Sequence, residues 1–86
     1  MRTIHKFKFK ATSNDCFIEI PESAEFLDCQ AQSGEIVFWF IVDTTAPTTT
    51  RLFTMVFTGQ PIKHSKDNYL KTLQCADGIV IHIFEV

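Results

Sequence analysis

The sequence is poor in the residues that usually announce a function. Its three cysteines, Cys16, Cys29 and Cys75, are odd in number and widely spaced. That argues against a disulfide framework and suits reduced thiols in a cytoplasmic compartment. Three glycines and three prolines among 86 residues leave no Gly-rich phosphate loop and no linker long enough to divide the chain. No stretch approaches the roughly 18 apolar residues of a membrane span. The opening MRTIHKFKFK alternates charge with phenylalanine and has no apolar centre of a signal peptide. Eight Lys and Arg against ten Asp and Glu give a net charge of −2, too little positive charge for a surface built on duplex nucleic acid. There is no Gly-x-Ser-x-Gly, no His-Glu-x-x-His and no Cys-x-x-Cys. The histidines His5, His64 and His82 are far apart in sequence, so a metal site would have to be assembled from scattered residues. The expectation is a protein without metal or cofactor, and not an enzyme.

What is present is a period of two. Apolar and polar residues alternate over residues 3–11, 16–20, 25–32, 52–58, 69–76 and 79–86, with turn chemistry at Ser13-Asn14-Asp15, Ser33-Gly34 and Asp77-Gly78. No segment carries the 3.6-residue period of a helix. The pattern predicts one all-β domain over residues 1–86, a small antiparallel β-sandwich or flattened barrel of about seven strands.

Two strands are apolar on both faces. In GEIVFWFIVD, seven consecutive residues, Ile36 to Val42, are apolar, and the last strand reads IVIHIFEV. One sandwich interior takes one face of each, which leaves Phe, Trp, Val or Ile toward water. Exposed apolar sheet of that kind predicts self-association through Phe38, Phe40, Val80, His82 and Phe84, hence a homo-oligomer. The alternative is a loop of the same chain folded across the outside. Charge is also uneven: Arg2, Lys6, Lys8 and Lys10 mark the first strand, while Asp15, Glu19, Glu22, Glu25, Asp28 and Glu35 follow. These read as cross-strand Lys–Glu pairs of a solvated hairpin, or else as a basic stripe for an anion. The longest polar stretch, GQPIKHSKDN, is the candidate binding loop. Thr58, Gly59 and Gln60 offer a hydroxyl, a free backbone approach and an amide, and Lys63 and His64 follow. Such a group suits a phosphate or a polar base edge.

The order TIHKF, IEIPESAEFLDCQAQSGEIVFWFIVD, FTGQPI, YLKTLQ, GIVIHIFEV resembles a family of small phage-encoded proteins of about this length. The match spans nearly the whole chain, and its anchors here are Pro21, Ala24, Trp39, Val42, Asp43, Thr58, Gly59, Pro61, His82, Phe84 and Glu85. This chain departs from the family pattern in carrying Gln60 where histidine is common, and in extra lysines after it. The resemblance implies a phage accessory protein in the cytoplasm of an infected bacterium, acting against host defence. One mechanism is sequestration of a small anionic, nucleotide-like immune signal in pockets of an oligomer, with Trp39 stacking the base and Arg51, Lys63 or His64 facing phosphate. The others are a protein–protein block on a host defence enzyme, and a minor structural or assembly component of the phage.

Overall fold

A computed structural model describes residues 1–10 and 13–86. Seven strands follow one another as β1 (Arg2–Lys8), β2 (Asp15–Pro21), β3 (Glu25–Gln32), β4 (Glu35–Asp43), β5 (Thr48–Phe57), β6 (Tyr69–Gln74) and β7 (Val80–Glu85). They form two antiparallel sheets, β1-β4-β3 and β2-β5-β7-β6. The expected all-β sandwich of seven strands is what the chain builds. Among the described residues, only two short 3₁₀ turns, Lys66–Asn68 and Ala76–Gly78, are helical, and no helix is long and apolar enough to cross a membrane.

The alternation in sequence explains the packing. Cys16, Ile18 and Ile20 of β2 point inward, as do Phe38, Phe40 and Val42 of β4, and Ile81 and Ile83 of β7. Four-way contact of phenylalanine rings fills the centre. Phe38 lies 5.0 Å from Phe53 and 6.2 Å from Phe40 between centroids, and Phe9 and Phe26 close on Phe38 edge-on at 5.8 and 6.5 Å. Tilted and edge-on pairs of this kind add about 0.5–1.5 kcal/mol each beyond the area they bury. Ser33 and Gly34 both take positive φ, 48° and 81°, the backbone of a two-residue turn that matches strand twist.

Several local expectations are corrected. The fifth strand begins earlier than the alternation over residues 52–58: Thr48, Thr49 and Thr50 open β5, paired with Pro21, Ile20 and Glu19, because β-branched threonine suits a pleated strand. In β3, strict alternation over residues 25–32 would turn Leu27, Cys29 and Ala31 inward. A bulge between Phe26 and Asp28 inserts one residue and reverses the phase. Phe26 therefore packs on Phe40 and Leu27 is 43% exposed; Cys29 is buried as expected, whereas Ala31 is exposed. Asp77-Gly78 belongs to a longer connection containing the Ala76–Gly78 turn, closed by a hydrogen bond from the Cys75 N–H to the Ile79 carbonyl at 2.8 Å. The first strand ends at Lys8, short of the expected span: Phe9 and Lys10 follow it outside the strand, with the Phe9 N–H still donating to the Ile36 carbonyl, and Ala11 lies outside the described residues. His5 and His82 sit on strands of different sheets and do not meet.

The two sides of the sandwich differ. Edges β3 and β6 are joined by Lys71 Nζ to Asp28 Oδ1 at 2.9 Å. Edges β1 and β2 share no such bridge, and a groove of about 330 Å³ runs between them. The expected hairpin of β1 with β2, with cross-strand Lys–Glu pairs, does not form: the two strands enter different sheets. Lys8 instead meets Glu35 at 3.2 Å and Arg2 meets Glu25 at 3.6 Å.

The Asp28–Lys71 bridge makes stability depend on acidity. The Lys71 ammonium, then the Cys29 N–H and the Gln30 amide, hold the Asp28 carboxyl down at about 2. An ordinary aspartate titrates near 3.9 in the unfolded chain. The native state therefore gains from the ionised form above about pH 4 and loses that gain as pH falls toward 2. Thermal melts of the parent and of Asp28→Asn should differ at pH 6 and converge near pH 2. A constant difference across that range would assign the effect to something other than this carboxylate.

Candidate functional site

The turn after β5 uses the residues singled out in the loop, but mostly on itself. Gly59 sits at φ 94°, a backbone that residues with a Cβ adopt only with strain. The Gln60 N–H donates to the Phe57 carbonyl at 3.1 Å, and the Phe57 N–H donates back to Gln60 Oε1 at 2.9 Å. The Gln60 amide oxygen is thus engaged in closing its own turn, while the side chain lines the hollows on both sides of it. From there the chain doubles back over the outer face of β7. The His64 ring lies 6.0 Å from Phe84, Tyr69 meets Phe84 edge-on at 5.8 Å, and Ser65 Oγ accepts the Asp67 N–H to start the next turn.

That return path answers the question of the doubly apolar strands. Phe84, expected at an oligomer interface, is only 6% exposed because His64 and Tyr69 cover it, and Val80 and His82 are half-buried beside it. Phe38 and Phe40, also expected at the interface, are at 0% exposure in the core. Their inward phase on β4 is set by Phe53 and Phe26, which complete the same cluster. The outer side of β4 is covered in part by its neighbours. Val37 lies between Lys8 and Gln30, and Trp39 between Lys6 and Asp28, in register; long stems of lysine and glutamine shield apolar surface this way.

Beneath the loop, four polar side chains hydrogen-bond in series across an otherwise apolar sheet face. Tyr69 Oη is 2.7 Å from Thr72 Oγ1, Thr72 Oγ1 is 2.9 Å from His82 Nδ1, and His82 Nε2 is 2.7 Å from Thr58 Oγ1. Adjacent strands bring them together: Thr72 is the direct partner of His82 across β6 and β7. The hydroxyls can donate or accept, so they satisfy both ring nitrogens in either tautomer. The chain ends in a cleft of about 210 Å³ walled by Thr58, Ile62, Tyr69, His82 and Phe84. On the far side of Ile62 and Tyr69 a second, apolar hollow of about 290 Å³ is bordered by Lys66 and Phe84. Lys63 and His64 face a third, more polar hollow of about 370 Å³ with Asn14, Asp15 and Thr54.

Other predicted ligand residues lie elsewhere. Trp39 is on the outer face of the three-stranded sheet, remote from the loop. Arg51 is committed inside the sandwich: its Nε and Nη2 bind both Glu85 carboxylate oxygens at 2.6 and 2.7 Å, and its Nη1 donates to the Ala24 carbonyl at 2.7 Å. Its guanidinium also stands 5.2 Å over the Phe40 ring. One subunit does not assemble Trp39, Arg51, Lys63 and His64 into a single pocket. Lys66, expected with Lys63 and His64 beside the loop, borders the apolar hollow; Ile62, Tyr69 and Thr72 were not singled out from the sequence. Tyr69 and Thr72 are three apart, which in a regular strand would place them on opposite faces; the register shift between Tyr69 and Lys71 puts them together, and nothing in the sequence announces it.

Among the described residues no three His, Cys, Asp or Glu side chains converge as a metal site would require. The two buried thiols, Cys16 and Cys29, are held in their protonated form. Burial, helped by the Asp28 charge, pushes Cys29 up to about 12, and burial also raises Cys16; neither environment activates a nucleophile.

Comparison with known proteins gives a family and no activity. No curated protein and no solved structure matches the chain significantly. The model of a domain of unknown function, DUF7352, matches residues 1–86, and the chain belongs to that family.

Proposed function

We propose that this protein is a non-enzymatic binding module that holds a small, planar, anionic molecule of nucleotide-like chemistry in the cleft beneath residues 59–68. The observation that carries the reading is the Tyr69–Thr72–His82–Thr58 chain ending in a cleft with aromatic walls. An apolar pocket with a few convergent polar groups is the usual form of a small-molecule site. A base would lie in the cleft against Tyr69 and the edge of Phe84, its polar edge would meet the Thr58 hydroxyl, and phosphate would reach out of the cleft toward Lys66 at the adjoining apolar hollow or Lys63 at the polar one. The resemblance described above supplies the setting: a phage accessory protein in the cytoplasm of an infected cell, withholding a nucleotide signal from host defence.

The test is thermal stabilisation of the purified protein by a panel of cyclic and linear mono- and dinucleotides. At least one should raise Tm, by about 2.7 kcal/mol of added stability at a hundredfold excess over Kd. Tyr69→Ala should abolish that rise, as should Lys63→Ala combined with His64→Ala. No rise with any nucleotide, or a rise indifferent to Tyr69, would remove the cleft from consideration.

A further inference from the structure

The open side of the sandwich carries two unpaired strand edges of opposite charge. Register and hydrogen bonding fix which groups each edge presents. The Phe9 N–H donates to Ile36 and the Thr44 N–H to Met1, at 2.8 and 2.9 Å. In an antiparallel pair such bonds recur at every second residue, so the odd-numbered residues of β1 face β4. The main-chain groups of Ile4, Lys6 and Lys8 are left pointing outward from the edge. By the same logic, Met55 to Asn14 and Glu22 to Pro47, both 2.8 Å, commit the even-numbered residues of β2 to β5. Asp15, Phe17 and Glu19 present theirs to the open side. One edge is therefore basic and the other acidic with a phenylalanine at its centre, and Phe17 is 70% exposed. Lys6 and Lys10 form no ion pair among the described residues. Lys6, Lys8 and Lys10 stand across one groove from Phe17 and Glu19, so the two edges lie at the same height.

We propose that a second copy of this chain occupies the open side, joined edge to edge about a two-fold axis parallel to the strands. β4 and β5 are linked through the turn at residues 44–47, where the Ala46 N–H donates to the Asp43 carbonyl, and run in opposite senses. β1 and β2 are antiparallel to those strands respectively, so they too run oppositely. Rotation about the stated axis lays β1 of each copy beside β2 of the other, antiparallel, twice, and each three-stranded sheet continues into the other copy's four-stranded sheet. The outer faces coincide. Lys6 comes opposite Glu19 of the second copy, Lys8 opposite Phe17, and Lys10 opposite Asp15, so each cross-strand pair is matched in charge or covers the exposed ring. The other two-fold closure, about an axis normal to the sheets, would set lysines against lysines and acids against acids, and charge selects against it. Edge pairing also removes the liability of two bare edges. The inference does not depend on the cleft beneath the loop.

Light scattering on the purified protein, together with amide hydrogen exchange, tests the arrangement. A concentration-dependent dimer is expected, with the amides of Ile4, Lys6, Lys8, Phe17 and Glu19 gaining protection as it forms. Lys6→Glu and Glu19→Lys should each weaken dimerisation at least about tenfold. Mixing the two variants, or combining them in one chain, should restore it, because every reversed charge then meets its complement. A chain that is monomeric up to about 1 mM, edge amides that exchange freely in a dimer, or reversals that are not rescued on mixing would each overturn the proposal.

Discussion

Phe38→Ala should lower the free energy of unfolding by about 3–5 kcal/mol, the usual cost of emptying a phenylalanine site in a packed core. A domain of this size holds roughly 4–13 kcal/mol in all, so the variant should be marginal at 37 °C. The magnitude follows from position. Phe38 is at 0% exposure and touches four other rings, those of Phe9, Phe26, Phe40 and Phe53. Those rings come from β4, β3, β5 and the segment after β1, so relaxation of one strand cannot close the void. Denaturant unfolding followed by the fluorescence of the single tryptophan measures the loss. Phe17→Ala is the internal comparison. Its ring is mostly in water within one subunit, and below the dimerisation range the change should stay within about 0.5 kcal/mol. Equal losses at the two positions would mean that the inward and outward phases of β2 and β4 are misassigned.

The second large effect concerns the Arg51–Glu85 pair. Glu85→Gln should cost about 2 kcal/mol, and Arg51→Ala about 2–4 kcal/mol. Both arms of the guanidinium are held by one carboxylate, and the side chains are only 22% and 28% exposed. Charge-assisted bidentate bonds in a half-buried setting are strong, and removing one partner strands the other. Arg51→Ala also leaves the Ala24 carbonyl without its donor and uncovers Phe40 and Phe53. Replacing both partners by apolar residues, Arg51→Met with Glu85→Leu, should return stability to within about 1 kcal/mol of the parent, since no charge is then left unpaired. A double variant as damaged as the sum of the singles would show that the pair contributes through something other than mutual compensation. Arg2→Ala, which removes the exposed 3.6 Å pair with Glu25, should change little.

These two sites show what was legible in the sequence and what was not. Alternation over residues 16–20, 52–58 and 79–86, like the unbroken apolar run at 36–42, is a local property, and it sufficed for strand content and for the sandwich. Which face of a doubly apolar strand turns inward is not local. In β4 it depends on Phe26 and Phe53, which arrive from other strands, so Phe38 and Phe40 were assigned to an interface they cannot reach. Arg51 illustrates the same limit. Its partner Glu85 lies 34 residues away, and nothing around either residue reveals that two sheets bring them together. In the cleft, Thr58 and Gly59 were visible as turn chemistry, whereas the contribution of Tyr69 and Thr72 hangs on a register shift. The charge segregation between residues 2–10 and 15–35 was plain; that it marks two separate edges could be seen only once β1 and β2 were found in different sheets.

The placement of β1 has a consequence for synthesis of the chain. Its partner strand, β4, begins at residue 35, so the first strand leaves the ribosome with nothing to pair with until some thirty more residues follow. At about 5–20 residues per second that interval lasts seconds, long compared with the microseconds in which a hairpin closes. A nascent segment bearing Phe7 and Phe9 would invite aggregation over that time. Lys8 between them and Lys6 and Lys10 on either side act as gatekeepers, keeping the waiting strand dissolved until β4 emerges and both rings pack against the core.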